Sequence, residues 1–322
     1  MKIVSLLPST TEICFALGLG NQIAAVTHEC DFPEATSAKP SITRNVLPEG
    51  SRDSQTIDRL ISERVLAGDS IYAIDLPLLH SIAPDLILTQ ELCQVCAVSY
   101  DDVLAIARTL PSVPQVASIE PRSVDEIIDS IGTVGRLTGS ESTADTVMRS
   151  LRQRIDAIHD WIGAQPNRET PRVVCLEWLD PPMVGGHWVP EMVELAGGRD
   201  MLGKPGQPSF RVEWEQIREA EPEVIILMPC GYHLMETLAE AEQLAGRGRF
   251  PGCLSELPAV RSGRVYAVDG SSYFNRPGPR IVDGIAILAA IVQPELPAEL
   301  APVGGYAPVG LLAMSEHGGE RA

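Results

Sequence analysis

Short apolar runs alternate with amphipathic stretches along most of this chain, the pattern of buried parallel strands each followed by a helix. Residues 3–7 predict a first strand that ends at Pro8-Ser9-Thr10-Thr11-Glu12. Ser9 or Thr10 is placed to cap a helix over 13–17, with Glu12 in its first turn, where the helix dipole favours a carboxylate. Gly18-Leu19-Gly20 stops that helix, and residues 23–27 predict the next strand. Helical stretches follow around 57–65 and 76–83, then strands at 86–89 and 113–117.

Val124, Ile127, Ile128, Ile131, Val134 and Leu137 recur at helical spacing, as do Val147, Leu151, Ile155 and Ile158, so 123–136 and 140–161 predict long helices. A second strand series opens at 172–176 and continues at 193–195, 224–228 and 265–268, with a closing helix at 281–292. Each half carries one Pro-acid-apolar run, Pro84-Asp85-Leu86-Ile87-Leu88 and Pro222-Glu223-Val224-Ile225-Ile226-Leu227, a weak internal repeat that suggests two similar lobes. The expected division is an α/β lobe over 1–122, a bridging helical segment over 123–165, a second α/β lobe over 166–293 and a flexible tail over 294–322.

Composition sharpens this outline. The 322 residues carry 25 Lys+Arg against 43 Asp+Glu, a formal net charge of −18. A surface that acidic repels phosphate backbones, so nucleic acid is not an expected partner. The apolar runs fall far short of the ~20 residues a membrane helix needs, which excludes a membrane span. Lysine occurs only as Lys2, Lys39 and Lys204, leaving arginine to supply the positive charge. The 7 cysteines are odd in number and sit mostly in apolar contexts, unlike a secreted disulfide framework. Met1-Lys2 and the apolar stretch after it lack a signal peptide's basic region and small-residue cleavage site, so the chain as encoded reads as cytoplasmic, and as periplasmic only if its start is truncated.

Open α/β sheets bind ligands at the carboxyl ends of their strands. Here those ends carry Thr27-His28-Glu29-Cys30, then Cys93-Gln94-Val95-Cys96, and in the second half Glu177-Trp178 and residues 270–274. His28, Cys30, Cys93 and Cys96 match the donor types and number of a tetrahedral zinc site, and His28 alone suits axial coordination of a bound chelate. Packed thiols and a merely hydrogen-bonded histidine are the alternatives. Trp178, Trp188, Trp214, Tyr273 and Phe274 offer broad aromatic faces near second-lobe strand ends, as a large flat ligand would require, or serve as core. The acidic pair Asp101-Asp102 and Glu215 read as solvated helix starts or as docking groups. Nothing near them supplies a nucleophile, and no dinucleotide fingerprint, Ser-His-Asp order or zinc-protease motif occurs.

With these residues in view, the chain resembles the substrate-binding proteins of vitamin B12 and iron-siderophore ABC importers, most closely the cobalamin branch. The likeness rests on Ser5-Leu6-Leu7-Pro8-Ser9-Thr10-Thr11-Glu12, Ala83-Pro84-Asp85-Leu86-Ile87-Leu88, Trp214-Glu215-Gln216-Ile217 and Tyr273-Phe274-Asn275-Arg276-Pro277-Gly278-Pro279-Arg280, in order over residues 1–292. It implies two Rossmann-like lobes joined by a single long helix, the class III periplasmic-binding-protein fold, with ligand held in a cleft between lobes that move little. It also implies ligand contacts from Tyr273, Phe274 and Arg276, with Ser272 standing where the family has an aspartate. The loop Asp180–Trp188, including His187 and Trp188, matches the family's second-lobe ligand loop. Glu215 matches an acidic residue that docks on permease arginines, and its first-lobe counterpart falls at Asp101 or Asp102. Relative to the family, an insertion spans about 46–79, and the tryptophan expected near Thr43-Arg44-Asn45 is missing.

The resulting expectation is a monomeric, non-catalytic binding protein. It holds a corrinoid, cobalamin, through His28, Trp178, His187, Trp188, Ser272, Tyr273, Phe274 and Arg276, for ABC-type uptake or intracellular retention. The alternatives are a ferric-siderophore or haem binder, or a cytoplasmic metal or redox protein working through Cys93 and Cys96. No catalytic cofactor is expected; zinc is the metal to test.

Overall fold

A computed structural model describes residues 1–48, 53–67, 70–90, 100–165, 169–246, 255–302 and 304–310. In chain order the first lobe runs β1 (Ile3–Ser5), α1 (Pro8–Ala16), β2 (Ile23–Ala25), β3 (Thr43–Asn45), α2 (Ser54–Ala67), β4 (Tyr72–Ile74), α3 (Leu76–Ile82), β5 (Leu86–Thr89), α4 (Tyr100–Ala107) and β6 (Gln115–Ser118). Its parallel sheet has the order β2-β1-β5-β6. Every residue of β1 and β5 is buried, as in strands covered on both faces. β3 and β4 stand apart from this sheet as an antiparallel pair, Thr43 opposite Ile74.

α1 starts earlier than its periodicity predicts. Pro8 fills the first turn, where its missing N–H is no loss, and Leu7 takes the cap position without a side-chain bond. Ser9 and Thr10, expected as caps, lie buried inside the helix, and Thr10 and Thr11 turn their hydroxyls back onto Leu7 O at 3.2 and 3.0 Å. Glu12 therefore sits beyond the first turn, deep in the protein at 4% exposure.

The connection between lobes is α5 (Val124–Thr138) followed by the long α6 (Glu141–Gly163). Ser123 Oγ accepts from Glu126 N at 3.2 Å to cap α5, and Gly139, with φ of 68°, ends it in the left-handed conformation that glycine adopts freely. The stripe Val124, Ile127, Ile128, Ile131 and Val134 is buried as its spacing predicts.

The second lobe runs β7 (Arg172–Leu179), β8 (Pro182–Val184), α7 (Val189–Leu195), β9 (Arg199–Asp200), β10 (Phe210–Arg211), α8 (Trp214–Glu219), β11 (Val224–Leu227), α9 (Leu234–Gly246), α10 (Pro258–Arg261), β12 (Val265–Val268), α11 (Gly270–Tyr273), α12 (Ile281–Val292) and β13 (Tyr306–Pro308). The sheet order is β10-β8-β7-β11-β12-β13, with β9 beside β7. The two Pro-acid-apolar runs become β5 and β11, each flanked by parallel strands on both sides at the centre of its sheet.

Two expectations are corrected. Residues 193–195 are not a strand but the end of α7, where Val189, Met192, Val193 and Ala196 face inward at helical spacing; three apolar residues in a row do not by themselves distinguish the two. The segment after 294 is not wholly a tail, because β13 pairs antiparallel with β12, Tyr306 opposite Val268. A three-residue edge strand is too short to show alternation in sequence.

One hydrophobic core runs from Ile3 and Leu88 of the first sheet, through Ile127 and Ile131 of α5 and Ile158 of α6, to Val173, Ile226 and Ile285 of the second lobe. Smaller clusters cover the outer faces of the two sheets, around Val4 and Ile87 and around Val174 and Ile225. Among the described residues no helix is long and apolar enough to cross a membrane.

Candidate ligand-binding cleft

The two lobes meet where their strand-end loops face each other. After β12, Asp269 accepts a hydrogen bond from Ser272 N at 2.7 Å and caps α11. α12 then packs tightly beneath it: a Cβ at Gly284 would stand 2.4 Å from Tyr273 O. Between these helices the chain crosses to the first lobe. Gly278 lies against Ser9, with room for a Cβ only at 3.4 Å.

Two arginines on this crossing segment engage first-lobe carboxylates. Arg276 donates to both oxygens of Asp31 and, at 3.0 Å, to Glu29 O. Arg280 holds Glu12 in a two-pronged pair through Nε at 3.0 Å and Nη2 at 2.6 Å. The Arg276 and Glu12 side chains are only 9% and 3% exposed, so these charges are largely desolvated. Phe32, with 45% of its surface open, lies 4.3 Å from the Arg280 guanidinium, and Tyr273 lies on it at 5.7 Å. Burial works against charge on Asp31, but the Arg276 hydrogen bond and the charges of Arg276, Arg280 and His233 outweigh it and hold the carboxyl below its ordinary range. At Arg280 burial is likewise outweighed, by Glu12 first, so the guanidinium is held firmly charged.

His233 joins an acid of each lobe, Nε2 lying 3.4 Å from Asp31 and Nδ1 3.1 Å from Asp269. His28 occupies a separate corner. Its Nδ1 is 2.7 Å from Thr43 Oγ1, its Nε2 is 3.2 Å from Glu29, and its ring leans on Tyr72 at 5.3 Å. That hydrogen bond from His28 lowers the Glu29 carboxyl. Cys30 turns instead to Thr11 and Thr27, 3.2 Å from each hydroxyl, and burial raises its thiol.

The residues expected to touch ligand take up different places. Tyr273 and Arg276 reach the meeting line of the lobes, although Arg276 is taken up by Asp31. Trp188 and Phe274 are core: Trp188 is 6% exposed, its indole donates to Phe274 O at 2.7 Å, and Phe274 is fully buried. His187, half-buried, stacks on Trp188 and is lowered by burial and by the charge of Arg122. Ser272 is buried in α11. Trp178, 8% exposed, meets Tyr232 edge-on at 5.7 Å and donates its indole N–H to Ser54 O of α2 at 3.2 Å. Of the expected metal set only His28 and Cys30 lie among the described residues. His28 and Cys30 have different partners, and among the described residues no group of three or more His, Cys, Asp or Glu is arranged to hold a metal. Cys93 and Cys96 lie outside the described residues. Asp101, Asp102 and Glu215 are all exposed; Glu215 is paired with Arg218 on its own helix, which lowers its carboxyl.

Glu12, Asp31, His233 and Arg280 escape the sequence reading as cleft residues. A carboxylate directly before the apolar run Ile13-Cys14-Phe15, and two arginines four apart around Pro277-Gly278-Pro279, are the signals that point to Glu12 and Arg280.

A family model described as periplasmic binding protein matches residues 3–271. The vitamin B12-binding protein of Vibrio cholerae is 24% identical over 291 residues, spanning 88% of this chain and 86% of that protein. Among solved structures, the periplasmic vitamin B12 binding protein of Vibrio cholerae superposes with a TM-score of 0.62 at 21% identity, covering 91% of this chain and 96% of the other. A periplasmic heme binding protein from Pseudomonas aeruginosa superposes with a TM-score of 0.69 at 18% identity, covering 94% and 99%.

Proposed function

We infer, from the chain's membership of the periplasmic binding protein family, that it is the substrate-binding component of an ABC importer and that its ligand is a corrinoid held without chemical change in the inter-lobe cleft. The observation that favours a corrinoid over the anionic alternatives is the electrostatics of the meeting line. Both Arg276 and Arg280 are already neutralised, by Asp31 and Glu12. Haem propionates or the anionic groups of a ferric siderophore would have to compete with these carboxylates, of which Glu12 is almost wholly buried. A corrinoid presents neutral amide edges and a broad face, which suits Tyr273, the open ring of Phe32 and backbone polar groups. Exposed Glu215, Asp101 and Asp102 would then present acidic groups to permease arginines.

A haem reading finds its support at His28, whose Nδ1 is anchored by Thr43 in the manner of a metal-ligating imidazole. Its Nε2, however, is engaged by Glu29, which would have to move aside. Parallel titrations of the purified protein with hydroxocobalamin, haemin and a ferric siderophore, followed by absorbance and calorimetry, decide between them. One-to-one uptake of hydroxocobalamin with weaker binding of the others is the expected result. Haemin uptake with no response to hydroxocobalamin would overturn the corrinoid reading.

A further inference from the structure

Helix α2, which lies within the insertion about 46–79, does not stay with the lobe from which it springs. It reaches across to the second lobe and attaches there at two points. Ser54, fully buried, donates from its backbone N at 3.0 Å and from its hydroxyl to one oxygen of Glu240 on α9, a carboxylate only 3% exposed. One helical turn on, Asp58 accepts from Arg211 of β10 at 2.6 Å. At the first of these points Trp178 donates its indole N–H to Ser54 O. Among the described residues the lobes are tied by the shared core through α5 and α6, by Arg276, Arg280 and His233 on Asp31 and Glu12, and by α2.

These ties differ in what it takes to undo them. The first would require opening the main core, and the second would strand nearly buried charges. The third is slight. Ser54 is the only buried residue of α2, and Leu66 stands 88% exposed. The strands that flank the helix, β3 and β4, are three residues each and pair with one another, with Tyr72 and Ile74 packed on the first-lobe cluster around Val4 and Ile87. A cavity of about 450 Å³ borders them, lined by Ile42, Thr43, Ile74 and Leu76 among others. Elements with few buried contacts open first.

We propose that α2 is a strap latched by Ser54–Glu240 and Asp58–Arg211, and that its release, rather than separation of the lobes, admits ligand to the cleft and uncovers the Trp178–Tyr232 pair. This rests on the reading of the cleft as a ligand site.

The test compares the full chain with a Ser54→Ala/Asp58→Ala variant, with Asp58→Ala alone as a milder surface change that leaves the buried serine in place. Hydrogen exchange gives the first measurement, and stopped-flow uptake and release of hydroxocobalamin the second. In the wild type, amides of 54–67 are expected to exchange well ahead of those of α5 and α6. In the double variant that exchange, the association rate and the dissociation rate all rise by about tenfold, with Kd moving less than about threefold; Asp58→Ala shifts each the same way to a smaller extent. Faster exchange with an unchanged association rate overturns the gating role, and so does exchange of 54–67 in step with α5 and α6. If the wild type takes up neither hydroxocobalamin, haemin nor a ferric siderophore, the binding reading itself fails and the gate falls with it. Unchanged association in a protein that does bind removes the gate alone.

Discussion

Arg276 reads from the sequence as a hand extended to the ligand, yet its guanidinium is directed at Asp31 and Glu29 O on the opposite lobe. The pairing makes Asp31 a pH-sensitive tie with a definite sign. Because the folded carboxyl lies below its ordinary value of 3.8, the stabilisation it confers is complete above that value and is lost as the pH falls through the lower, folded one. Asp31→Asn should therefore lower Tm at neutral and mildly acidic pH, and the gap to the wild type should close as the pH is taken below the ordinary carboxyl value of 3.8. Thermal melts of both proteins across this range check the prediction; a gap that stays the same at every pH would contradict it. The same residue shows what sequence reading lacks here. Asp31 sits between Cys30 and Phe32 with nothing to mark it, and only the fold brings it 245 positions along the chain to Arg276.

Elements with strong local signals were legible and those defined by tertiary context were not. β5, β12 and α12 fall on the expected residues, since each is a long enough apolar run with a turn or proline at its edge. The stripe of α5 is readable because an isoleucine-rich face at helical spacing has one explanation. α1, α7 and β13 were misread because the polar residues Ser9 to Glu12 of α1 are buried beside its apolar ones and blur the period, the short apolar run at the end of α7 mimics a strand, and a three-residue edge strand has no period. The insertion was visible only as extra length, as nothing in Ser54 or Asp58 announces partners on another lobe. A related contact joins the second lobe to the bridge: Glu191 of α7 accepts from Val124 N at 2.7 Å, capping α5 from outside. Glu191→Ala should reduce stability by about 1 kcal/mol in urea unfolding, the typical cost of a lost helix cap, while Glu191→Gln, which keeps an acceptor, should recover most of it. Equal losses in both variants would show that the contact acts through charge on the helix dipole rather than through the cap.

At the scale of the whole molecule, the two lobes resemble separate domains in their topology but not in their packing. The main core includes residues of both sheets, both bridging helices and α12, so neither lobe can bury its inner face without the other. A chain built this way should unfold in one cooperative step. Ile131 of α5, fully buried and lodged in that core, is the place to test it. Ile131→Ala is expected to cost about 2–5 kcal/mol and to move the urea transition seen by far-ultraviolet circular dichroism and by tryptophan fluorescence together, because Trp188 in the second lobe belongs to the same core. Two separated transitions, or a shift confined to one probe, would mean that the lobes are energetically independent and free to hinge. The coincident shift matters for function as well as for folding. A core shared in this manner resists the opening of the cleft by lobe motion, which leaves ligand exchange to the least buried structure that spans it, the strap α2.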